Sequence, residues 1–473
     1  MRVTLEALTD KEIEQVHQLT LEVMASKGLS IMGEEALGIF KKHGFAAEGS
    51  RVLFRADQIE KALASAPEKF ELVSRGAGRS LTLGLGEKPV LLSASGVPMI
   101  ITRDGRQKPV DFNDYRDMLK LTQTSPVLGM ANSGALYPSC EDPGLGIFSQ
   151  VYETLVLTDL PLVGQSEGTV LSHYSIDMAQ AASGVTDKSV MVGVCNSLSP
   201  MAWDNRMLEG IKVFSERGQA LNISCCAMSG ATAPVYLIGS IVQANCEVLG
   251  GLVYSQLVNP GTPVIYGTTS SVMDMGTMGL ALGAPEYTLI SVGCAQMANR
   301  YRLPYRGGGG LTDAKELDAQ AGLESAWNLI FSYFEGVHFM LQAVGVLESF
   351  MSVSFDKWVF DEEILARVLR LIKGLGPSPA DLVETFNQGI EAGGYLKLKS
   401  TLKNFRKEFY RPTLGDRHNF ESFKQKGANL QKEAWLEVER RLEAYEKPPL
   451  ESDAKKRMVE IFTKATGQAP SDV

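Results

Sequence analysis

Eight short, near-continuous apolar runs recur along this chain, at residues 90–95, 127–131, 160–165, 190–195, 220–225, 263–267, 303–306 and 338–342. Each is followed by a polar or glycine-rich turn and then by helical apolar spacing, at 112–124, 146–158, 173–182, 205–217, 237–257, 286–302, 315–334 and 361–373. Strands apolar on both faces need cover on both faces, which helices packed around a parallel sheet provide. Eight such units in succession predict an α/β fold, the (β/α)8 TIM barrel. An open doubly wound sheet is the competing reading. No G-x-G-x-x-G follows the first run, however; Gly84-x-Gly86 comes nearest and runs into Pro89.

The flanks divide the chain into three: an N-terminal α+β cap at 1–88, the barrel at 89–377 and a C-terminal helical extension at 378–473. In the cap, Thr9 with Glu12 starts a helix over 8–28 that Gly28 stops, and a second helix covers 34–42. Strands at 52–54 and 70–74 flank a helix at 56–66. Asp104-Gly105 marks the turn of a β-hairpin inserted after the first barrel strand. Gly374 and Pro377 end the last barrel helix, and helices follow at 379–389, 395–405, 420–446 and 452–465. This charged, amphipathic tail suits packing along the barrel or against another subunit.

Composition narrows the function. A net charge of −9 without a Lys/Arg block argues against nucleic acid. The N-terminus has no signal pattern, and no long uncharged apolar stretch suits a membrane span. Six cysteines without Cys-x-x-Cys spacing read as reduced thiols of a cytoplasmic protein.

In a barrel, functional groups sit just past the strand C-termini. Those positions hold Ser95, Asn132, Gln165, Glu167, Asn196, Met228, Tyr266, Thr268, Arg306 and Gln342. The set lacks the paired carboxylates of a glycosidase and the lysine of a Schiff-base aldolase. His338 falls in the last strand, where a structural role competes with a ligand role. Cys195, Cys225 and Cys226 end two strands, but buried small residues explain them better than a zinc site. Tyr137, Trp203, Tyr266, Tyr305, Phe355 and Trp358 lie in or near strand-end loops; with Glu167 they would suit a quaternary ammonium ion through cation–π attraction, with core packing as the alternative. Arg306 is the strand-end cation. It could hold a substrate carboxylate, or form an ion pair with Glu286 or Asp313. The four glycines at 307–310 allow close approach, either to a bound molecule or within a strand-to-helix turn.

The stretch at 303–315, LPYRGGGGLTDAK, is followed by Asp318-Ala-Gln320 and Glu324. With Gly345-Val-Leu-Glu348, Ser354-Phe-Asp-Lys357, Asp361-Glu-Glu-Ile364, Phe405-Arg-Lys-Glu408 and Arg411-Pro412 it resembles the trimethylamine methyltransferase family, over about 10–460. The resemblance implies a TIM barrel that moves a methyl group from an amine to the cobalt of a separate corrinoid protein. The chain is uninterrupted by pyrrolysine, so it is similar to the branch associated with quaternary amines: glycine betaine, proline betaine and carnitine-like compounds. Cob(I)alamin and methylcob(III)alamin would reside on the partner, with no cofactor or metal bound here, and a homo-oligomer is expected. The implied substrate-binding set is Asn132, Gln165, Glu167, Asn196, Tyr266, Tyr305, Arg306, His338 and Gln342, with Glu167 and Gln342 positioning the substrate. Where related sequences carry histidine and tryptophan in the last strand, this chain has Gln342 and Val346, and Ser400-Thr401 replaces a His-Thr in the tail. The change at Gln342 favours a betaine bulkier than glycine betaine. Two alternatives remain: a lyase or aldolase of a small phosphorylated compound cradled by the glycine loop, and a non-catalytic quaternary-amine-binding protein.

Overall fold

The computed structural model describes residues 5–140, 142–376, 378–427 and 429–471. The expected stop at Pro377 and the first four residues of the N-terminal reading lie outside them.

All eight apolar runs form one parallel sheet. Its strands are β1 (Val90–Leu91), β2 (Ala131–Asn132), β3 (Leu162–Gly164), β4 (Met191–Asn196), β5 (Ala220–Cys225), β6 (Val264–Thr268), β7 (Tyr305–Arg306) and β8 (Phe339–Met340). Closure is direct: β8 pairs with β1 at Phe339↔Val90, and Gly129 N–H donates to Leu91 O at 3.0 Å on the way into β2. The helices that follow them are α1 (Phe112–Gln123), α2 (Pro143–Leu157), α3 (Thr169–Ser183), α4 (Asn205–Glu216), α5 (Leu237–Val258), α6 (Pro285–Arg300), α7 (Ala319–Phe334) and α8 (Phe355–Lys373). This is the (β/α)8 barrel. The expected hairpin follows β1, with strands Met99–Ile101 and Gln107–Pro109.

The barrel floor is sealed from below. Strands Lys69–Leu72 and Leu81–Gly84 pair antiparallel, and Phe70, Leu72 and Leu83 pack under the inward residues Val90, Met130, Val163, Val192 and Phe339. The strand at Leu81–Gly84 had no sequence expectation; it is the stretch whose glycines resembled a nucleotide motif. The N-terminal helix Asp10–Ser26 carries the expected Thr9–Glu12 capping box. Strand Leu29–Ile31 pairs with Ala202–Trp203 in the loop after β4, tying the N-terminal elements to the barrel.

Two helix starts differ from expectation. Helix α7 begins at Ala319, not residue 315, because Asp318 caps it by accepting from Ala321 N–H. Helix α8 begins at Phe355, not residue 361, because Asp356, Lys357, Asp361, Glu362 and Glu363 are buried rather than solvated. The tail helix expected over 420–446 is two, Phe420–Lys426 and Leu430–Glu443, the first ended by Gly427 in the left-handed region at φ +57°. Helix α5 is long and apolar enough to span a membrane, against the expectation, but 83% of its most apolar window is buried in the barrel wall.

The glycine run packs closely against its own chain. A Cβ on Gly308 would lie 1.9 Å from Ser332 Oγ, one on Gly309 2.6 Å from Gln342 O, and one on Gly310 2.7 Å from Ala343 O. The exit of β7 therefore presses on α7 and on the exit of β8. Gly310 N–H donates to Gln342 O at 3.0 Å, and Gly310 O accepts from Lys357 Nζ at 2.9 Å. Lys357 also pairs with Asp361 at 2.6 Å, both side chains fully buried, and Asp361 accepts from Gly345 N–H. Burial pulls Lys357 down and Asp361 up, and their mutual attraction opposes both shifts. Lys357→Met should lower unfolding free energy by about 3–5 kcal/mol in urea titrations, because it strands the Asp361 carboxylate. Lys357→Met combined with Asp361→Leu should recover most of that loss.

Candidate active site

The barrel interior changes character along its axis. Above the apolar floor, the inward residues become polar: Asn132 on β2, Gln165 past β3, Asn196 on β4, Asn222 and Ser224 on β5, and Arg306 on β7. Strand register sets part of this ring in one row, with Asn196 beside Ser224, Ser224 beside Gly267 and Gly267 beside Arg306. Gly267 leaves that row open. A Cβ there would lie 2.6 Å from Asn222 Oδ1 and 2.8 Å from Ser224 Oγ.

Arg306 is 4% exposed. Its Nη1 donates to Thr268 O at 2.8 Å and its Nη2 to Gln342 Oε1 at 3.1 Å. Its Nε has no partner, and among the described residues no carboxylate pairs with it. The expected alternative fails, since Asp313 instead accepts from Leu282 N–H, Gly283 N–H and Ser349 Oγ. Burial pulls the Arg306 pKa below the usual guanidinium value, opposed by Tyr287, Tyr305 and Cys226. Arginine stays charged through such shifts, so the mouth holds a buried cation without an anion.

Gln342 sits at φ +64°, a conformation that non-glycine residues adopt at a cost. Its N–H donates to Ser93 O at 2.9 Å, its O accepts from Gly310, and its side chain meets Arg306. Asn132 Nδ2 donates to Ala94 O at 2.9 Å, and its Oδ1 accepts from Gly134 N–H. Gln165 Nε2, both side-chain polar atoms of Asn222, and Ser224 Oγ are buried without partners. With Arg306 Nε these make five of the eight such atoms among the described residues, all inside the barrel.

The structure moves three expected residues, Tyr266, Tyr305 and His338, out of the mouth. Tyr266 and Tyr305 have the opposite strand parity from Arg306 and point into the helix layer: Tyr266 Oη donates to Asn245 Oδ1 at 3.2 Å, and Tyr305 Oη meets Ser291 Oγ at 2.8 Å. His338 lies at the entry of β8, on the barrel's lower face, where its Nδ1 accepts from Tyr305 N–H at 3.1 Å. Glu167 stays at the rim but is ion-paired with Arg206, not free for a cation. Trp203 and Trp358 are core residues, leaving Tyr137, 43% exposed, as the aromatic at the rim. Cys195 and Cys225 face the helices, with Cys225 Sγ donating to Glu247 at 3.1 Å, so no cysteine cluster forms.

Asn222 and Ser224 were missed from the sequence, and Cys226, expected to be a buried small residue, is exposed beside them. They alternate on one face of β5 and its extension, a period-two signal hidden inside an apolar run. Cys226 is solvent-accessible, yet burial pushes its thiol up, with Thr269 and Arg306 pulling the other way. Its exposed side chain follows Ser224 on the inward face of the strand. Val194 and Asn196 on β4, half-buried and exposed, open onto the same mouth.

With this geometry in hand, the family model described as trimethylamine methyltransferase (MTTB) matches residues 2–469. The chain belongs to the trimethylamine methyltransferase family. It is similar to a glycine betaine methyltransferase of Desulfitobacterium hafniense, at 33% identity over 95% of each chain. It is also similar to a proline betaine:corrinoid methyltransferase of Eubacterium limosum, at 32% identity over 94% of each, and to an L-carnitine:corrinoid methyltransferase of the same organism at 29%, covering 94% of each. The crystal structure of the Methanosarcina barkeri monomethylamine methyltransferase shares the fold, with TM-score 0.52, 11% identity, and 94% and 90% of the two chains covered.

In this member of the trimethylamine methyltransferase family, the mouth thiol gives a direct readout of the cavity. N-Ethylmaleimide should alkylate Cys226 ahead of the buried Cys195, Cys225, Cys246 and Cys294, by peptide mass spectrometry, at a rate that climbs with pH. On the lower face, a cleft of about 530 Å³ is bordered by His338 and Glu335. Burial pushes Glu335 up to about 8 from an ordinary value of 4.5, against the hydrogen bond from Ser291 Oγ. Between those values the folded chain keeps a proton that the unfolded chain has lost, so this group's contribution to stability declines as pH rises through the window. Glu335→Gln should match the wild type in urea midpoint near pH 5 and exceed it above pH 8.

Proposed function

We propose that this chain moves a methyl group from a betaine-type quaternary amine to the Co(I) of a separate corrinoid protein, releasing the tertiary amine. The observation that carries the substrate class is the buried, anion-free guanidinium of Arg306 at the mouth. A site built this way calls for a ligand that brings its own carboxylate. The relatives named for glycine betaine, proline betaine and carnitine support that reading, since all three compounds carry one.

A quaternary nitrogen is already cationic, so its N–CH3 bond breaks with the electron pair returning to nitrogen, and no proton moves. The docked corrinoid supplies the Co(I) nucleophile. The barrel's residues then bind and orient. Arg306 takes the carboxylate, steadied by Gln342 and Thr268 O. Gln165, Asn196 and Asn132 present neutral amide dipoles to the ammonium end, and Val194 with the wall at Cys226 limits water beside the methyl groups. Neutral walls suit this cation, because a carboxylate in contact with it would stabilise the charge that the reaction removes. Glu167, through its pair with Arg206, positions the rim.

The six free cysteines favour a cytoplasmic setting, and the three-part division at 1–88, 89–377 and 378–473 gives a floor, a reaction chamber and an association tail. The amides of Gly309 and Gly310 are already bonded to Ser332 and Gln342, which disfavours the phosphate-cradling lyase.

The deciding assay follows the Co(I) absorbance of a reduced corrinoid protein, with glycine betaine, proline betaine, carnitine and trimethylamine added separately. Loss of the band with a betaine and not with trimethylamine is expected; the reverse pattern would sink the carboxylate assignment, and silence with all four would leave a binding protein. Arg306→Ala should raise the betaine KM by about 10–100-fold, the loss of one charge-assisted contact. KM for any turnover of tetramethylammonium should not move.

A further inference from the structure

We infer that Asn222 and Ser224 complete the seat for the substrate carboxylate, in the gap left over Gly267 beside Arg306, an assignment that rests on the carboxylate role proposed above for Arg306. Among the described residues, five buried polar atoms without partners lie inside the barrel, and four belong to this corner: Asn222 Nδ2, Asn222 Oδ1, Ser224 Oγ and Arg306 Nε. Asn222 is 0% exposed and Ser224 1%. Buried donors and acceptors are rarely left unbonded, so a group of four in one corner calls for a partner from outside the chain.

The neighbouring strand positions supply none. Asn222 pairs in register with Val194 on one side and Ile265 on the other, and neither side chain can hydrogen-bond. Ile265 belongs to the apolar floor. The Asn222 amide turns instead toward Gly267, which stands between Ser224 and Arg306 in register and carries no side chain. A Cβ on Gly267 would lie 2.6 Å from Asn222 Oδ1 and 2.8 Å from Ser224 Oγ, so both residues border one gap. Arg306 leans over the same strand, since its Nη1 donates to Thr268 O, one residue on.

A carboxylate matches this corner. Arg306 Nε and Ser224 Oγ donate, and Asn222 does so when its Nδ2 faces the gap. Neither end of that amide is bonded within the chain, so an acceptor in the gap selects the orientation. One guanidinium among neutral side chains balances one carboxylate, whereas a hydroxyl would leave its charge unanswered. Because Asn222 lies at depth, a carboxylate held there leaves the ammonium end toward the open mouth, with its methyl groups outward. Asn222 and Ser224 thereby select an acid over the corresponding alcohol.

Isothermal titration calorimetry of the full chain tests this without cobalt. Glycine betaine and proline betaine serve as carboxylate probes, and tetramethylammonium as a cation that lacks one. Asn222→Asp keeps the size of the side chain and reverses the preference of the seat. It should weaken both betaines by about 100-fold or more and leave tetramethylammonium as tight or tighter. Gly267→Ala puts a methyl group in the gap, within β6, where alanine adopts the backbone without strain. It should weaken both betaines by about tenfold or more, with tetramethylammonium unchanged. Equal loss for all three ligands overturns the inference, because it marks a change of cavity shape alone. Betaine binding that Arg306→Ala weakens and neither of these variants moves also overturns it, while leaving the role of Arg306 intact. A wild type that binds tetramethylammonium and neither betaine removes both assignments.

Discussion

The contact between the exits of β7 and β8 governs the upper half of this barrel. Gly308, Gly309 and Gly310 bring one backbone against α7 and against the Gln342–Ala343 turn, closer than any Cβ allows. The Lys357–Asp361 pair then holds Gly310 from behind. Arg306 precedes this strap and Gln342 follows it across the interface, so both site residues take their positions from a backbone contact with no room to drift. The left-handed conformation of Gln342 is maintained by the same hydrogen bonds.

What the strap positions is an electrostatic asymmetry. A guanidinium sits in a low-dielectric mouth bonded to carbonyl oxygens alone, and the rim carboxylate of Glu167 is already taken by Arg206. Such an arrangement costs folding energy unless a ligand completes it. The chain meets that cost through burial elsewhere, including a floor sealed by its own N-terminal hairpin. A site of this kind needs little chemistry of its own, consistent with a reaction whose nucleophile arrives on another protein.

Which residues face the mouth was legible at some positions and hidden at others for one physical reason. Arg306, Gln342, Gln165, Asn132 and Asn196 were legible because a polar residue at the end of an apolar run stands out. Tyr266 and Tyr305 were drawn in for the same reason and proved to face the helices. Asn222 and Ser224 escaped because they lie within the run. The start of α8 was hidden by five buried charged residues, which in a sequence look like solvent-facing ones.

The sequence alone determined the number and order of the β/α units, their turns, and the helix cap at Thr9, because each depends on local spacing and hydrogen bonding. It also determined that a cation stands at the exit of the seventh strand. The tertiary structure decided which way each strand residue faces. In strands apolar on both sides, alternation carries no sign, and only closure of the barrel turns one face inward and the other toward the helices. That single choice separates Arg306 from its neighbour Tyr305, and the cavity from the core.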